Sequence, residues 1–177
     1  MDHEILLEIL MLKITDIRTF SLLKEIITSF STKEGKGMPI GNLTSQIFSN
    51  IYLNEFDRYI KHTLNCKAYL RYGDDFVVFK TNKEDLVSIR EKAVNFLAVN
   101  LKLIMHPKND FIIRTKQGLR FLGVDLFPVG RRLGKKNTGR ITRKITLKNV
   151  AAYSGIIKKH SNEKVIKKFQ WLLVDEL

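Results

Sequence analysis

The chain has 177 residues, which suits one domain, or one domain with a small appendage, able to bury about 70% of its unfolded surface. Hydrophobic residues make up 44% of it and charged residues 28%, a balance that excludes global disorder. The formal net charge of +13 indicates a polyanionic partner, with nucleic acid ahead of an anionic membrane surface.

Cysteine content and the N-terminus bear on the compartment. The single cysteine, Cys66, excludes an internal disulfide and a cysteine-based zinc site. Asp2 and Glu4 stand where a secretory signal would have positive charge, and no apolar run approaches membrane-spanning length. We therefore expect a soluble, cytoplasmic protein without a membrane partner.

Helical periodicity dominates the first third of the chain. Asp2 is the expected N-cap of a first helix with apolar positions at residues 5–10, and a second helix has apolar positions at residues 20–30. A loop with two glycines covers residues 33–39. Apolar positions from Leu43 to Ile60 then predict a long helix.

An acidic turn follows this helix. Residues 68–72 and 76–79 are rich in β-branched and aromatic side chains and predict two strands, between which Gly73 allows the chain to reverse. Asp74 and Asp75 then lie at the tip of a hairpin. Because adjacent carboxylates repel each other, a divalent metal is their natural partner, with Mg²⁺ the expected ion. The alternative is an ordinary solvated turn, since Asp is a preferred turn residue.

Further elements are predicted downstream. Asn82 and Asp85 resemble a capping box that opens an amphipathic helix, and residues 103–105 are predicted to form a strand. Residues 111–113 and 119–124 predict a second hairpin that turns at residues 116–118. Beyond Pro128, a basic linker leads to helices at residues 149–159 and 163–173. We therefore predict a domain boundary between residues 129 and 130.

Positive charge is concentrated in the last third of the chain, where no acidic residue lies between Asp125 and Glu163. Segregated like charge costs self-repulsion unless a partner screens it, which favours contact with nucleic acid over a solvated basic tail. The predicted nucleic-acid-binding residues are Arg131, Arg132, Lys135, Lys136, Arg140, Arg143 and Lys144.

A polar motif at residues 39–46 precedes the long helix. Pro39 stiffens the approach, Gly41 lets a ligand come close to the backbone, and polar side chains from Asn42 to Gln46 lie at a helix N-terminus, which favours anions. Contact with the sugar and phosphates of a nucleotide would explain these residues. Plain helix capping explains them equally well.

In their order and separation, residues 39–50 and 72–75 resemble the bacterial reverse transcriptases, especially the group-II-intron-like and diversity-generating-retroelement branches. The resemblance covers nearly the whole chain. Residues 83–108 are similar to the helix and lysine-bearing loop that follow the metal-binding hairpin, residues 119–123 to the primer grip, and residues 149–155 to the start of the thumb.

This resemblance implies an α+β fold. Residues 1–129 would form a polymerase palm, in which a ferredoxin-like antiparallel sheet has helices on one face. Residues 130–177 would form a basic connector and a partial helical thumb. The implied reaction is RNA-directed DNA polymerisation, in which a primer 3′-hydroxyl attacks the α-phosphate of a nucleotide with metal assistance. The implied partners are an RNA template, a DNA primer and deoxynucleoside triphosphates.

The resemblance also implies roles for single residues. Asp74 would be a direct metal ligand and Asp75 its neighbour at the same catalytic site, with Mg²⁺ as cofactor and Mn²⁺ as its substitute. The implied nucleotide-binding residues are Gly41, Gln46 and Lys108, and the implied primer-binding residues are Phe121, Leu122 and Gly123. For Lys108, an ordinary surface lysine is the alternative.

Two features depart from the family pattern. Gly73 stands where these reverse transcriptases more often have a larger residue. In the family, an Asp-bearing strand upstream of a segment similar to residues 1–6 supplies another metal ligand, and both this strand and the basic fingers are missing here. We therefore expect no polymerase activity from the chain alone, and count a separate N-terminal fragment or an accessory protein among its candidate partners. The alternatives are a non-catalytic remnant that binds nucleic acid or a partner protein through its basic thumb, and a nucleotide cyclase, which would not need the basic stretch.

Overall fold

The computed structural model describes residues 1–39, 41–146 and 148–176, in which the side chains of residues 135, 142, 175 and 176 are not included. The chain forms two compact units, Met1–Ile112 and Ile113–Leu177. Each unit combines helices with a small antiparallel sheet, which confirms the predicted α+β class.

Four α-helices account for about half of the residues of the first unit. Each begins directly after an Asp or Asn whose side chain accepts a hydrogen bond from a backbone amide of the first turn, the usual N-cap. The helices are α1 (His3–Met11), α2 (Ile17–Thr28), α3 (Leu43–Arg58) and α4 (Lys83–Asn100). A π-helical turn, Tyr59–Thr63, extends α3. All four predicted helices of this region are therefore present.

The core of the first unit is built around α3. Phe48, Tyr52 and Phe56 are spaced by four residues, so they lie on one face of the helix, and all three are buried. Leu6 of α1 and Leu97 of α4 belong to the same buried cluster. Each such side chain contributes about 1.5–3 kcal/mol through the apolar surface it buries. This core makes α3 the rigid element to which the rest of the unit is attached.

The predicted acidic hairpin is also present. Strands β1 (Tyr69–Tyr72) and β2 (Asp75–Val78) pair antiparallel, and their registration brings Tyr72 opposite Asp75. The ring of Phe76 packs edge-on against Phe56, with 4.8 Å between the ring centroids. The base of the hairpin is therefore attached to the core through α3.

The prediction of a strand at residues 103–105 is wrong. Lys102 has a φ of +48°, so the chain reverses immediately after α4. The Leu103 amide then donates a hydrogen bond to the Leu97 carbonyl at 2.8 Å, which commits it to the end of the helix instead of to a sheet. Leu103 and Met105 still pack against the core of the first unit.

The second unit contains a three-stranded antiparallel meander in the order β3-β4-β5. The strands are β3 (Leu119–Phe121), β4 (Val124–Phe127) and β5 (Gly130–Leu133), and the helices are α5 (Lys135–Lys144), α6 (Val150–His160) and α7 (Glu163–Glu176). Leu133, Ile141, Ile157 and Phe169 belong to its core. Among the residues that the structure describes, no helix combines the length and apolar character needed to cross a membrane.

Two predictions for this region need correction. Residues 111–113 form no strand, and the hairpin does not turn at residues 116–118, because β3 pairs with β4 through a two-residue turn at Leu122 and Gly123. The predicted basic linker begins with β5, since Gly130 pairs with Phe127.

The compact units divide at residue 112, whereas the predicted boundary at residues 129 and 130 lies inside the meander. The assignment of palm and thumb to residues 1–129 and 130–177 stays a prediction.

Candidate active site and nucleic-acid interface

Asp74 and Asp75 lie side by side at the exposed tip of the β1–β2 hairpin. Gly73 and Asp74 form its two-residue turn, and only Gly73 has a positive φ, of +61°, the pattern of a type II′ turn. Asp75 is the first residue of β2 and shares a hairpin face with Tyr72. Both carboxylates are exposed, so they are accessible to a ligand from solvent.

The opposite face of the hairpin is turned towards α3. Tyr69 and Phe76 lie on this face and pack against the core, while Leu70 and Tyr72 on the other face are exposed. Arg71 also belongs to the inner face, and only 11% of its side chain is exposed. Side chains alternate between the two faces of a strand, so a charged residue among the inward-facing ones needs a polar partner. Its presence in the sequence therefore indicates a buried polar contact.

Arg71 links the acidic turn to α3. Its Nε and Nη2 atoms donate to Asp57 Oδ1 and Oδ2 at 2.7 and 2.6 Å, a bidentate pair. Its Nη1 atom donates to the Gly73 carbonyl at 2.8 Å and to Asn50 Oδ1 at 3.2 Å. The Tyr69 hydroxyl donates to Asp57 Oδ1 at 2.6 Å. Gly73 and Asn50 belong to the two motifs recognised in the sequence, whereas Arg71, Asp57 and Tyr69 were not predicted to be part of the site.

The same contacts set the ionisation of the cluster. Burial acts to raise the pKa of Asp57, but hydrogen bonds from Arg71 and Tyr69 and the charge of Arg71 outweigh it, so the pKa lies below its usual value. Burial and the neighbouring Asp57 carboxylate raise the pKa of Tyr69. Asp57 is therefore a carboxylate and Tyr69 a neutral donor at neutral pH.

The polar motif opens α3. The Asn42 side chain accepts from the Thr44 amide at 3.2 Å, so the predicted capping is present. Gly41 is exposed with a φ of +84°, and a Cβ built on it would meet nothing within 4 Å. Gln46 is exposed and precedes Asn50 by one helical turn, so it lies on the face of α3 that Asn50 presents to Arg71. Ile40 lies outside the described residues.

Lys108 is exposed on a single 3₁₀ turn, Pro107–Asn109. Its amide donates to His106 Nδ1 at 3.3 Å. The turn is fixed to α4 by Arg90, whose Nε and Nη2 atoms each donate to Asp110 at 2.7 Å. Among the described contacts, none joins Lys108 to the Arg71 network.

The donor set at the acidic turn suits a metal that is shared with substrate. Among the described residues, no three His, Cys, Asp or Glu side chains lie close enough together to hold a metal ion. Asp74 and Asp75 are thus a pair of carboxylates without a third ligand of this kind. Mg²⁺ is commonly bound by one or two carboxylates together with substrate phosphates, and these residues fit that mode.

The predicted primer-binding residues lie together at the tip of the β3–β4 hairpin. Leu122 and Gly123 have φ values of +50° and +79°, as a type I′ turn requires, and Leu122 is half exposed. The Gly123 carbonyl accepts from Asn137 Nδ2 and from the Gly134 amide, each at 3.1 Å. A Cβ on Gly123 would overlap the Asn137 side chain. Gly123 thus allows the start of α5 to hold the turn, while Phe121 is partly buried in β3.

Helix α5 presents a basic stripe. Ile141 and Ile145, at one face of the helix and its end, are buried in the core of the second unit. Most of the predicted cations lie on the other side of the helix, where the 3.6-residue period groups positions four and seven residues apart. The exposed members of this stripe are Lys136, Arg140, Arg143 and Lys144.

The remaining predicted cations lie on β5 and at the start of α5. Arg131 is exposed. Arg132 donates to Asp125 Oδ2 at 3.3 Å and stacks over the Phe127 ring, so part of its role is structural. A hydrogen bond from Arg120, and the charges of both arginines, keep the pKa of the buried Asp125 below its usual value. The side chain of Lys135 lies outside the described part of the chain.

Comparison with known proteins identifies the family. The family model for reverse transcriptase (RNA-dependent DNA polymerase) matches residues 3–126, which include the polar motif, the acidic hairpin and the Lys108 turn. The chain is also 29% identical to Protein YkfC of Escherichia coli (strain K12), over 75% of this chain and 45% of that protein. It therefore spans less than half the length of this relative. Since the family model covers well over half of the chain, the protein belongs to the reverse transcriptase family.

Proposed function

We propose that this chain contributes the acidic turn and a nucleic-acid-binding surface to an RNA-directed DNA polymerase, which extends a DNA primer on an RNA template. The observation that supports this most directly is the pair of exposed adjacent carboxylates, Asp74 and Asp75, on a turn that Arg71 ties to α3. An ordinary solvated turn would not require a largely buried arginine to hold its peptide backbone.

In this proposal, Asp74 and Asp75 hold Mg²⁺ together with the phosphate oxygens of a deoxynucleoside triphosphate. When bound, the metal lowers the barrier to phosphoryl transfer by neutralising charge that develops on the attacking and leaving oxygens. Gly41 and Gln46 contact the sugar and phosphates near the N-terminus of α3, where the helix dipole favours negative charge. Lys108 contributes a phosphate contact, and the tip at residues 121–123 holds the primer strand.

A two-metal site needs more ligands than this turn offers. The described residues bring no third acidic side chain to Asp74 and Asp75. We propose that a carboxylate from another segment or subunit completes the site, so that residues 1–177 alone bind Mg²⁺ weakly and extend no primer.

Metal binding is tested by Mn²⁺ titration followed by paramagnetic relaxation of water protons and of backbone amides. Asp74→Asn should abolish the relaxation effect at the hairpin. Asp85→Asn removes the same charge from an exposed position in the first turn of α4 and should leave the effect unchanged. Identical profiles for the wild type and Asp74→Asn would overturn the metal assignment.

Polymerisation is tested by primer extension on an RNA template with Mg²⁺. We expect none from residues 1–177, and recovery when the chain is fused to the fingers and the Asp-bearing strand of a family member. Extension by the unfused chain would contradict the missing-ligand argument. An inactive fusion that is shown to fold would favour a second candidate function, nucleic-acid binding without catalysis, which the basic stripe of α5 supports.

Nucleic-acid binding is tested through its salt dependence. Each phosphate contact contributes about −0.9 to the slope of log affinity against log salt on duplex DNA. Replacing Arg131, Lys136 and Arg140 with Gln should therefore flatten the slope by about 2 to 3. The control replaces three exposed lysines of the first unit with Gln and removes the same charge. An equal change in both variants would show that net charge alone drives binding. The control lysines are Lys13, Lys24 and Lys92.

A further inference from the structure

The acidic turn belongs to an isolated two-stranded sheet, β1-β2, in the described part of the chain. A two-stranded hairpin is at best marginally stable in water by itself, so its tip needs other contacts to keep one conformation. Aromatic packing of Phe76 against Phe56 fixes the inner face of β2, but Gly73 and Asp74 contribute no apolar contact to the core. The tip is therefore held by polar contacts.

Those polar contacts converge on one side chain. Arg71 occupies both oxygens of Asp57 with two nitrogens, and its third nitrogen donates to the Gly73 carbonyl and to Asn50. The Gly73 carbonyl belongs to the peptide that joins Gly73 to Asp74. Because a peptide is planar, fixing this oxygen also fixes the position of the Asp74 Cα, from which the Asp74 side chain departs.

We propose that Arg71 is a positioning residue that holds the Asp74–Asp75 turn in a single orientation on α3, with Asp57 as its anchor. The inference rests on the proposed function insofar as the turn binds a metal. A planar guanidinium can make all of these hydrogen bonds simultaneously. A lysine at the same position would keep the charge but could not form the bidentate pair with Asp57.

Asp57 attaches the acidic turn to α3, the same helix that begins at the polar motif. Asn50 and Asp57 are seven residues apart and lie on one face of α3, and Gln46 lies one turn further towards its N-terminus on that face. A helix with one face packed in the core sets distances between side chains more accurately than a loop does. Arg71 thus links the two carboxylates to the helix that begins at the nucleotide-binding motif.

The test compares Arg71→Lys with Arg90→Lys in the metal-free chain. Arg90 makes a bidentate pair of similar length with Asp110, away from the hairpin, and is the matched control. ¹⁵N relaxation should give order parameters near 0.85 at residues 73–75 of the wild type and below about 0.6 in Arg71→Lys, with no change in Arg90→Lys. Unchanged order parameters at the turn in Arg71→Lys would overturn the proposal.

Three more variants separate positioning from general stability. Asp57→Asn should loosen the turn as much as Arg71→Lys, and the double variant should add nothing further. Tyr69→Phe removes one hydrogen bond to Asp57 but leaves the bidentate pair with Arg71, so it should lower the order parameters of the turn by less. Disorder that extends through the helices of the first unit in all three single variants, instead of remaining at the turn, would show a merely structural role.

Metal affinity is the second readout. Loss of residues that orient metal ligands typically weakens binding by roughly 10–100-fold, so we expect Arg71→Lys to weaken Mn²⁺ binding about tenfold and Arg90→Lys not at all. If the wild type binds no Mn²⁺ at the turn, the proposed function fails, while the order parameters still decide the role of Arg71. Wild-type Mn²⁺ affinity in Arg71→Lys would contradict the positioning role.

Discussion

Replacing Tyr52 with Phe removes a buried hydroxyl that joins three parts of the first unit. Tyr52 is 1% exposed on α3, and its hydroxyl donates to the Leu101 carbonyl at 2.6 Å. The same oxygen accepts a long hydrogen bond of 3.4 Å from the Asp2 amide. Because Leu101 is only 2% exposed, water cannot readily replace the lost donor.

The expected loss follows from this geometry. A buried carbonyl that loses its partner costs about 1–3 kcal/mol. The bond to Asp2 is long and adds little, so we expect the free energy of unfolding to fall by about 2 kcal/mol. Tyr59→Phe is the control, since Tyr59 stacks on Phe96 and its hydroxyl has no partner among the described residues. It should change the free energy by less than about 0.5 kcal/mol.

Urea unfolding followed by far-UV circular dichroism measures both variants, and hydrogen exchange of the α3 amides assigns the loss to the first unit. Burial raises the pKa of Tyr52 to about 12, although the hydrogen bond from the Asp2 amide acts in the opposite direction. The stabilisation by Tyr52 is therefore complete below about pH 10, the unfolded pKa, and is lost as the pH rises towards 12. A Tyr52→Phe loss as small as that of Tyr59→Phe would refute the reasoning.

Three further predictions concern the two hairpins. Asp57→Asn should cost roughly 1–2 kcal/mol near pH 6, and because the pKa of Asp57 lies below its usual value, the cost should shrink in urea titrations as the pH falls below about 4. Leu122→Asn should raise the stability of the second unit by about 0.5–1 kcal/mol in thermal unfolding, since Asn tolerates a positive φ better than Leu. Gly73→Ala should weaken the acidic hairpin by about 1 kcal/mol, measured by exchange of its strand amides.

Patterns within short windows predicted most of the fold. Helix caps at Asp2, Asn42 and Asn82 and apolar spacing on one face are local signals, and the structure contains each of these helices. The acidic hairpin could be predicted from equally local signals, because strand-forming residues flank a glycine and two aspartates on both sides. These elements depend little on residues distant in the chain.

Short apolar runs without a clear period were less informative. Residues 103–105 and 111–113 resemble strands in composition, but tertiary contacts decide their conformation. The second hairpin turns at Leu122, although Gly118 is the better turn residue by preference. Gly118 instead makes room for Phe127, because a Cβ at residue 118 would lie 2.9 Å or less from three atoms of the Phe127 ring. No local preference predicts a leucine with a φ of +50°.

The site was predictable only in part for a similar reason. The acidic pair and the polar motif are each contiguous in sequence, but Arg71 and Asp57 are 14 residues apart on different elements. Their contact exists because β1 packs against α3 in one registration. The arginine at an inward-facing position of a strand was the one local sign, and it does not identify its partner.

At Gly73, the cost of the backbone conformation can be separated from the effect of the space available to a side chain. A Cβ at this position would meet nothing within 4 Å, so a larger residue has room, and the departure from the family pattern concerns the backbone alone. Its φ of +61° costs an alanine about 1 kcal/mol. In Gly155→Ala, a helical position with equal room, the same substitution should instead stabilise by up to about 1 kcal/mol. Gly73→Asn should recover most of the loss, and a neutral Gly73→Ala would show that Arg71 does not hold the turn at this φ.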